Sequence, residues 1–132
     1  MRKEELIKYW LDSAEMDFQS MKRLFDTGEF AWSLFLGQLV LEKAMKAVYS
    51  QKVGNNAPRL HDLNRLALLA GLDVSAEDQA HLDTISLFNI NARYPDVKLA
   101  FYKKCTQDYA KKYLDLIERF YQWLVSQIEQ NL

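Results

Sequence analysis

The sequence predicts an all-α protein, an antiparallel up-and-down helical bundle of three long and two shorter helices, and three observations carry that expectation. Four glycines and two prolines stand in 132 residues while aromatic side chains make up 13%, a balance that favours long helices over a turn-rich strand architecture. Apolar residues recur three, four or seven apart through long stretches, the repeat that gathers them on one face of a helix. No segment alternates apolar and polar residues long enough to build a sheet.

From Lys3 to Asp26 the repeat runs through Leu6, Trp10, Ala14, Met21, Leu24 and Phe25. Thr27-Gly28 closes it, because glycine accepts the left-handed conformation that ends a helix. From Phe30 to about Gln51 the chain is apolar on most sides and broken by Gln38, Glu42 and Lys46; such a helix is expected at the centre, contacted on several faces. Gly54-Asn55-Asn56-Ala57-Pro58 stops it, since Gly and Asn suit turns and Pro58 biases Ala57 away from helix. Leu60 to Ala70 reads as a short third helix stopped by Gly71. Ser75 caps a fourth, with Glu77 and Asp78 in its first turn, that fades near Asn89 to Asn91. Arg93-Tyr94-Pro95-Asp96 interrupts it, and a long last helix resumes from about Lys98 or Thr106 to Glu129. With no repeat, low-complexity tract or linker, residues 1–132 read as one domain.

The totals exclude several function classes. The 17 basic and 18 acidic residues nearly cancel, so overall charge argues for neither nucleic acid nor membrane. A single Cys105 leaves no internal disulfide and no cysteine-based metal site, which fits a reducing cytoplasm. The first residues mix charges of both signs and never reach the apolar core of a signal peptide. The longest apolar run, Leu66 to Ala70, falls far short of the ~20 residues needed to span a membrane. His61 and His81 have no i, i+4 partner to make a metal site, and no phosphate loop or dinucleotide fingerprint occurs, so neither metal nor cofactor is expected.

Four constellations could carry chemistry. Asp17 occupies a slot that the apolar rhythm of the first helix assigns to the core, so it must reach water or hold a partner. Gln38, Glu42 and Lys46 share one helical face at i, i+4 spacing, with Glu42 before Lys46 the favourable order for an ion pair. That row is either the wet side of a buried helix or, with Asp17, the wall of a cleft whose carboxylates hold a base, a sugar hydroxyl or an arginine. Arg93 sits where a helix breaks, and its forked donors suit phosphate or carboxylate; alternatively it pairs with Asp17, Glu42 or Asp96 in a rigid corner. Lys98, Lys103, Lys104, Lys111 and Lys112, interleaved with Tyr94, Phe101, Tyr102, Tyr109 and Tyr113, offer charge and ring faces for a polyanion. At helical spacing the same rings can instead be core and the lysines a solvated face.

Several blocks together resemble the HEPN domain family. They are Trp10 with Ala14, Asp17 and Phe18, then Gly28-Glu-Phe-Ala-Trp32, Gln38-Leu-Val-Leu-Glu-Lys-Ala-Met-Lys-Ala47, Pro58-Arg-Leu-His-Asp-Leu63 and Ala92-Arg-Tyr-Pro-Asp96. The resemblance implies an antiparallel helical bundle, commonly a homodimer, similar to the C-terminal domain of kanamycin nucleotidyltransferase. Small members of that family are often paired with a minimal nucleotidyltransferase in toxin–antitoxin-like arrangements. Many others are metal-independent ribonucleases, whose motif is an arginine followed after four to six residues by a histidine. Here those positions after Arg93 hold Lys98, Leu99 and Ala100, so the imidazole expected as general acid or base is missing.

Three functions follow as expectations. The first is a binding module, a cytoplasmic homodimer with Asp17, Gln38, Glu42, Lys46, Arg93 and Asp96 lining a groove for a nucleotide, an RNA end or a partner nucleotidyltransferase. The second is an atypical ribonuclease in which Arg93 steadies a phosphate and His61 or a lysine moves the proton. The third is a plain dimerisation protein whose polar residues fix helix register.

Overall fold

Gly28, at φ +84°, takes the left-handed conformation that turns the chain back on itself after its first helix. The computed structural model describes residues 2–130, with side chains described as far as Ile128. Among these residues the helices are α1 (Lys3–Asp26), α2 (Phe30–Val53), α3 (Leu63–Leu69), α4 (Ala76–Asn91), α5 (Pro95–Lys104) and α6 (Gln107–Gln130). α1, α2 and α6 are 24 residues each, and no strand occurs among the described residues.

The bundle alternates direction. Ser33 Oγ donates to the Met21 carbonyl at 2.8 Å and Lys43 reaches Asp17 at 2.6 Å, which sets α1 antiparallel to α2. Asp78 meets Arg119 while Phe88 meets Tyr113 edge-on, which sets α4 antiparallel to α6. Gly37 faces Ile117, and Gln51 Nε2 donates to the Ile128 carbonyl; α2 and α6 therefore run the same way, as alternate helices of an up-and-down bundle do. Gly37 permits that approach, since a Cβ there would lie 2.5 Å from Ile117 Cδ1.

The core forms around α2, whose Leu34, Val40, Leu41, Ala44, Met45 and Val48 are fully buried. They pack with Met21, Leu63, Leu66, Leu82, Ile85, Phe88, Ile117, Phe120 and Leu124. Burial occupies most of the α2 circumference, as its sequence leads one to expect of a central helix.

Three boundaries differ from the sequence reading. α2 runs on to Val53, where Gly54 at φ +86° caps it. α3 starts at Leu63 instead of Leu60, because the Asp62 carboxylate accepts from the Arg65 N–H and caps the helix there. The stretch with two candidate starts becomes two helices, making three short ones in place of two. Pro95 opens α5 in its first turn, where its missing N–H is not needed, and Thr106 Oγ1 accepts from Tyr109 N–H at 3.2 Å to start α6. No helix among the described residues is long and apolar enough to cross a membrane.

Candidate functional site

The polar row of α2 lies inside the protein and is not its wet side: Gln38 is fully buried, Glu42 is 5% exposed and Lys46 7%. Buried polar groups demand partners, and these side chains supply them to one another. Gln38 Nε2 donates to Glu42 Oε1 at 3.0 Å and to the His61 carbonyl at 3.2 Å. Lys46 Nζ donates to Glu42 Oε2 at 3.1 Å and rests over the Trp10 ring at 5.1 Å. Asn89 Nδ2, from the last turn of α4, donates to Gln38 Oε1 at 3.0 Å. The Gln38 amide is thus oriented by two acceptors on one end and a donor on the other.

Two ends of this network reach solvent. At one, His61 Nδ1 lies 2.7 Å from Glu42 Oε1, with the imidazole side chain 66% exposed. Burial pushes the Glu42 carboxyl up, but hydrogen bonds from Gln38 and His61 and the charge of Lys46 outweigh it and hold the group below the usual carboxylate range. An ionised carboxylate only accepts, so the ring hydrogen on Nδ1 faces Glu42, and Nε2 is the imidazole's other polar atom. At the other end, Arg93 Nε donates to the Asn89 carbonyl at 2.9 Å and a terminal guanidinium nitrogen donates to Asn89 Oδ1. The Phe35 and Tyr94 rings stand 5.6 and 5.8 Å from the Arg93 guanidinium carbon. An arginine carries five N–H donors; with two on Asn89, the remaining edge is presented in a fixed orientation.

His61 and Arg93 line the same cleft. It has a volume of about 530 Å³ and is also lined by Asp62, Asp83, Ser86, Leu87, Asn89, Ile90 and Tyr94. Ser86 Oγ accepts from the Leu63 N–H at 3.0 Å, tying the start of α3 to α4 beneath it. An exposed guanidinium and an oriented imidazole in one cleft can hold a phosphate and move a proton beside it.

Residues 7–128 match the family model of the HEPN domain. The chain belongs to the HEPN domain family. Among solved structures, this HEPN domain is similar to TT1696 from Thermus thermophilus, at 22% identity over 92% of this chain and 97% of that one, with a TM-score of 0.76. That likeness shows the fold. No match to a curated protein was found.

The other expected residues of this HEPN domain are dispersed. Asp17 is held by Lys43 at 2.6 Å and does not line the cleft. Arg93 takes Asn89 as its partner, in place of Asp17, Glu42 or Asp96. Asp96 is exposed in the first turn of α5. Lys98 lies over Trp32 and Tyr102, Lys104 over Tyr109 and Lys112 over Tyr113, while Lys111 pairs with Asp115 and Lys103 is exposed. Of the interleaved rings, Phe101 and Tyr113 are buried and pack on Phe88, Tyr102 and Tyr109 are half-buried, and Tyr94 is exposed. Among the described residues no group of three or more His, Cys, Asp or Glu could hold a metal ion.

Sequence reasoning missed Asn89 and Ser86. Asn89 is 3% exposed, although its residue type marks a helix end. Its spacing of four from Arg93 was the available signal, because residues so spaced meet on a helix face.

Proposed function

We propose that this HEPN domain is a cytoplasmic binding module, one domain over residues 1–132, whose His61–Arg93 cleft receives a phosphate-bearing nucleotide or RNA end. In this reading it works as a homodimer and as the partner subunit of a minimal nucleotidyltransferase, in a toxin–antitoxin-like pair. The observation that carries the binding role is that both outward ends of one buried network open into one cleft. A network that only fixed helix register would have no need to aim an imidazole and a guanidinium at solvent together. The test is affinity for adenosine monophosphate and short RNA in the native protein and in Arg93→Ala, with co-purification of a co-expressed nucleotidyltransferase. Absence of both binding and co-purification contradicts the reading.

The Glu42–His61 contact at 2.7 Å favours a second reading, metal-independent RNA cleavage. His61 Nε2 would take the proton of a ribose 2′-hydroxyl as its oxygen bonds to phosphorus; the bond to the 5′-oxygen breaks and that oxygen leaves with a proton taken from water, the His61 proton later returning to solvent, while Arg93 offsets charge on the phosphoryl oxygens. Cleavage of RNA in chelator that disappears in His61→Ala supports it, and intact RNA under native protein rejects it.

A further inference from the structure

We propose that the His61–Arg93 cleft selects a nucleoside carrying a single phosphate, in preference to a nucleoside triphosphate or an uninterrupted RNA strand. The proposal rests on the nucleotide-binding reading above and narrows it. Its first support is the charge of the cleft. Among the described lining residues Arg93 is the one permanent cation, against two exposed carboxylates, Asp62 and Asp83. A phosphate monoester brings roughly two negative charges at pH 7, which the guanidinium and, when both ring nitrogens carry hydrogen, the His61 imidazole of the same cleft can meet. Each further phosphate adds negative charge that faces carboxylates in place of lysines.

The second support is donor geometry. Asn89 holds two of the Arg93 N–H groups, so one edge of the guanidinium remains, a match for two oxygens of one phosphate. Among the described residues no flexible ammonium lines the cleft to follow a chain of phosphates. Lys104 and Lys112 lie over Tyr109 and Tyr113 and Lys111 is paired with Asp115, while Lys98 lies over Trp32, whose ring meets the Phe35 ring beneath Arg93 but which does not line the cleft. A strand bound at Arg93 would therefore find no second permanent cation among the described residues of the cleft itself.

The third is what the remaining walls offer. Asp62 caps α3 and Asp83 accepts from Asn64 Nδ2 at 2.6 Å, so both carboxylates are fixed in place with acceptor capacity left for sugar hydroxyls. Leu87, Ile90 and Tyr94 supply an apolar side for a base. A volume of about 530 Å³ suits one nucleotide, within the range of small-ligand sites.

The test is calorimetric titration of the full chain, without added metal, with adenosine, adenosine monophosphate, adenosine triphosphate and a 5′-hydroxyl oligoadenylate. The monophosphate is expected to bind at least about tenfold tighter than each of the other three, and to lose about that factor in Arg93→Ala. Its affinity should fall as salt is added, because an exposed phosphate–guanidinium pair is screened. Asp83→Asn should narrow the gap between mono- and triphosphate, with thermal melting reporting that the variant is folded. If the triphosphate or the oligonucleotide binds as tightly as the monophosphate, and loses affinity in Arg93→Ala, the selectivity is wrong and the cleft remains a nucleotide site. If none of the four binds, both are overturned.

Discussion

The Asn89 amide donates to Gln38 Oε1 across 3.0 Å, and through that contact the last turn of α4 is joined to the middle of α2. Gln38 in turn holds Glu42 and the His61 carbonyl, so one fully buried amide braces both sides of the cleft. Gln38→Met keeps volume but leaves partners unmet on each side. It is expected to lower the unfolding free energy by about 2–3 kcal/mol, read from urea midpoints. A loss under about 0.5 kcal/mol, the scale of an ordinary surface substitution, contradicts the bracing role.

Glu42 makes stability depend on acid. Its carboxyl is held below its ordinary value of 4.5, so the folded state binds that proton less readily than the unfolded chain. The stabilisation is complete above 4.5 and is lost as pH falls through the lowered native value. Native protein should lose stability on the acid side of about pH 4.5, and Glu42→Gln, less stable at neutral pH, should show a shallower acid decline. Glu15, lowered by hydrogen bonds from Tyr121 and Gln19, leaves a residual slope in both proteins. Denaturant titrations at stepped pH check this; parallel profiles would contradict it.

Gly37 sets how closely α2 meets α6. An added Cβ would lie 2.5 Å from Ile117 Cδ1 and 3.1 Å from Met21 Sδ. Alanine gains about 1 kcal/mol in helix propensity but overpacks this contact at a cost of about 1–3 kcal/mol. Gly37→Ala should be net destabilising by about 1 kcal/mol, and adding Ile117→Val, which removes the clashing methyl, should recover more than half of that. Thermal melting of the single and double variants distinguishes the outcomes.

Asp17 belongs to a different interaction. Its pairing with Lys43 at 2.6 Å leaves both side chains about one-fifth exposed, 20% and 22%, so each charge keeps some contact with water. Asp17→Asn is expected to cost about 1–3 kcal/mol in stability and to leave adenosine monophosphate affinity within about twofold, well under the ~1.4 kcal/mol of a tenfold change. A tenfold loss of affinity would place Asp17 in the cleft's chemistry.

These contrasts mark where the sequence was readable. α1 was legible from end to end because its apolar stripe is narrow and Thr27-Gly28 is an unambiguous stop. α5 was hidden because Pro95 reads as a breaker within an interrupted stretch, although in a first turn it is a starter. The row Gln38, Glu42, Lys46 was visible as spacing. Its burial was not, since α2 is apolar nearly all round and gives no contrast between a wet face and a contacted one. His61 could be noted but not joined to Glu42, because the loop after Gly54 that carries it back has no periodicity from which to infer direction. Asn89 was lost for the same reason that Asn usually ends helices: its side chain competes for backbone hydrogen bonds, and here tertiary partners claim it instead.

The central claim is that His61 and Arg93 act together at one phosphate site. Its most direct measurement is a titration of isotopically labelled protein with adenosine monophosphate, following the His61 imidazole and Arg93 Nε–H signals by NMR. The account predicts that both move along one saturating curve, together with the backbone amides of Ser86 and Ile90, while the signals of Asp17, Lys43 and α6 stay in place. Saturable shifts confined to Lys103, Lys104, Lys111 and Lys112, with His61 and Arg93 unmoved, would contradict it.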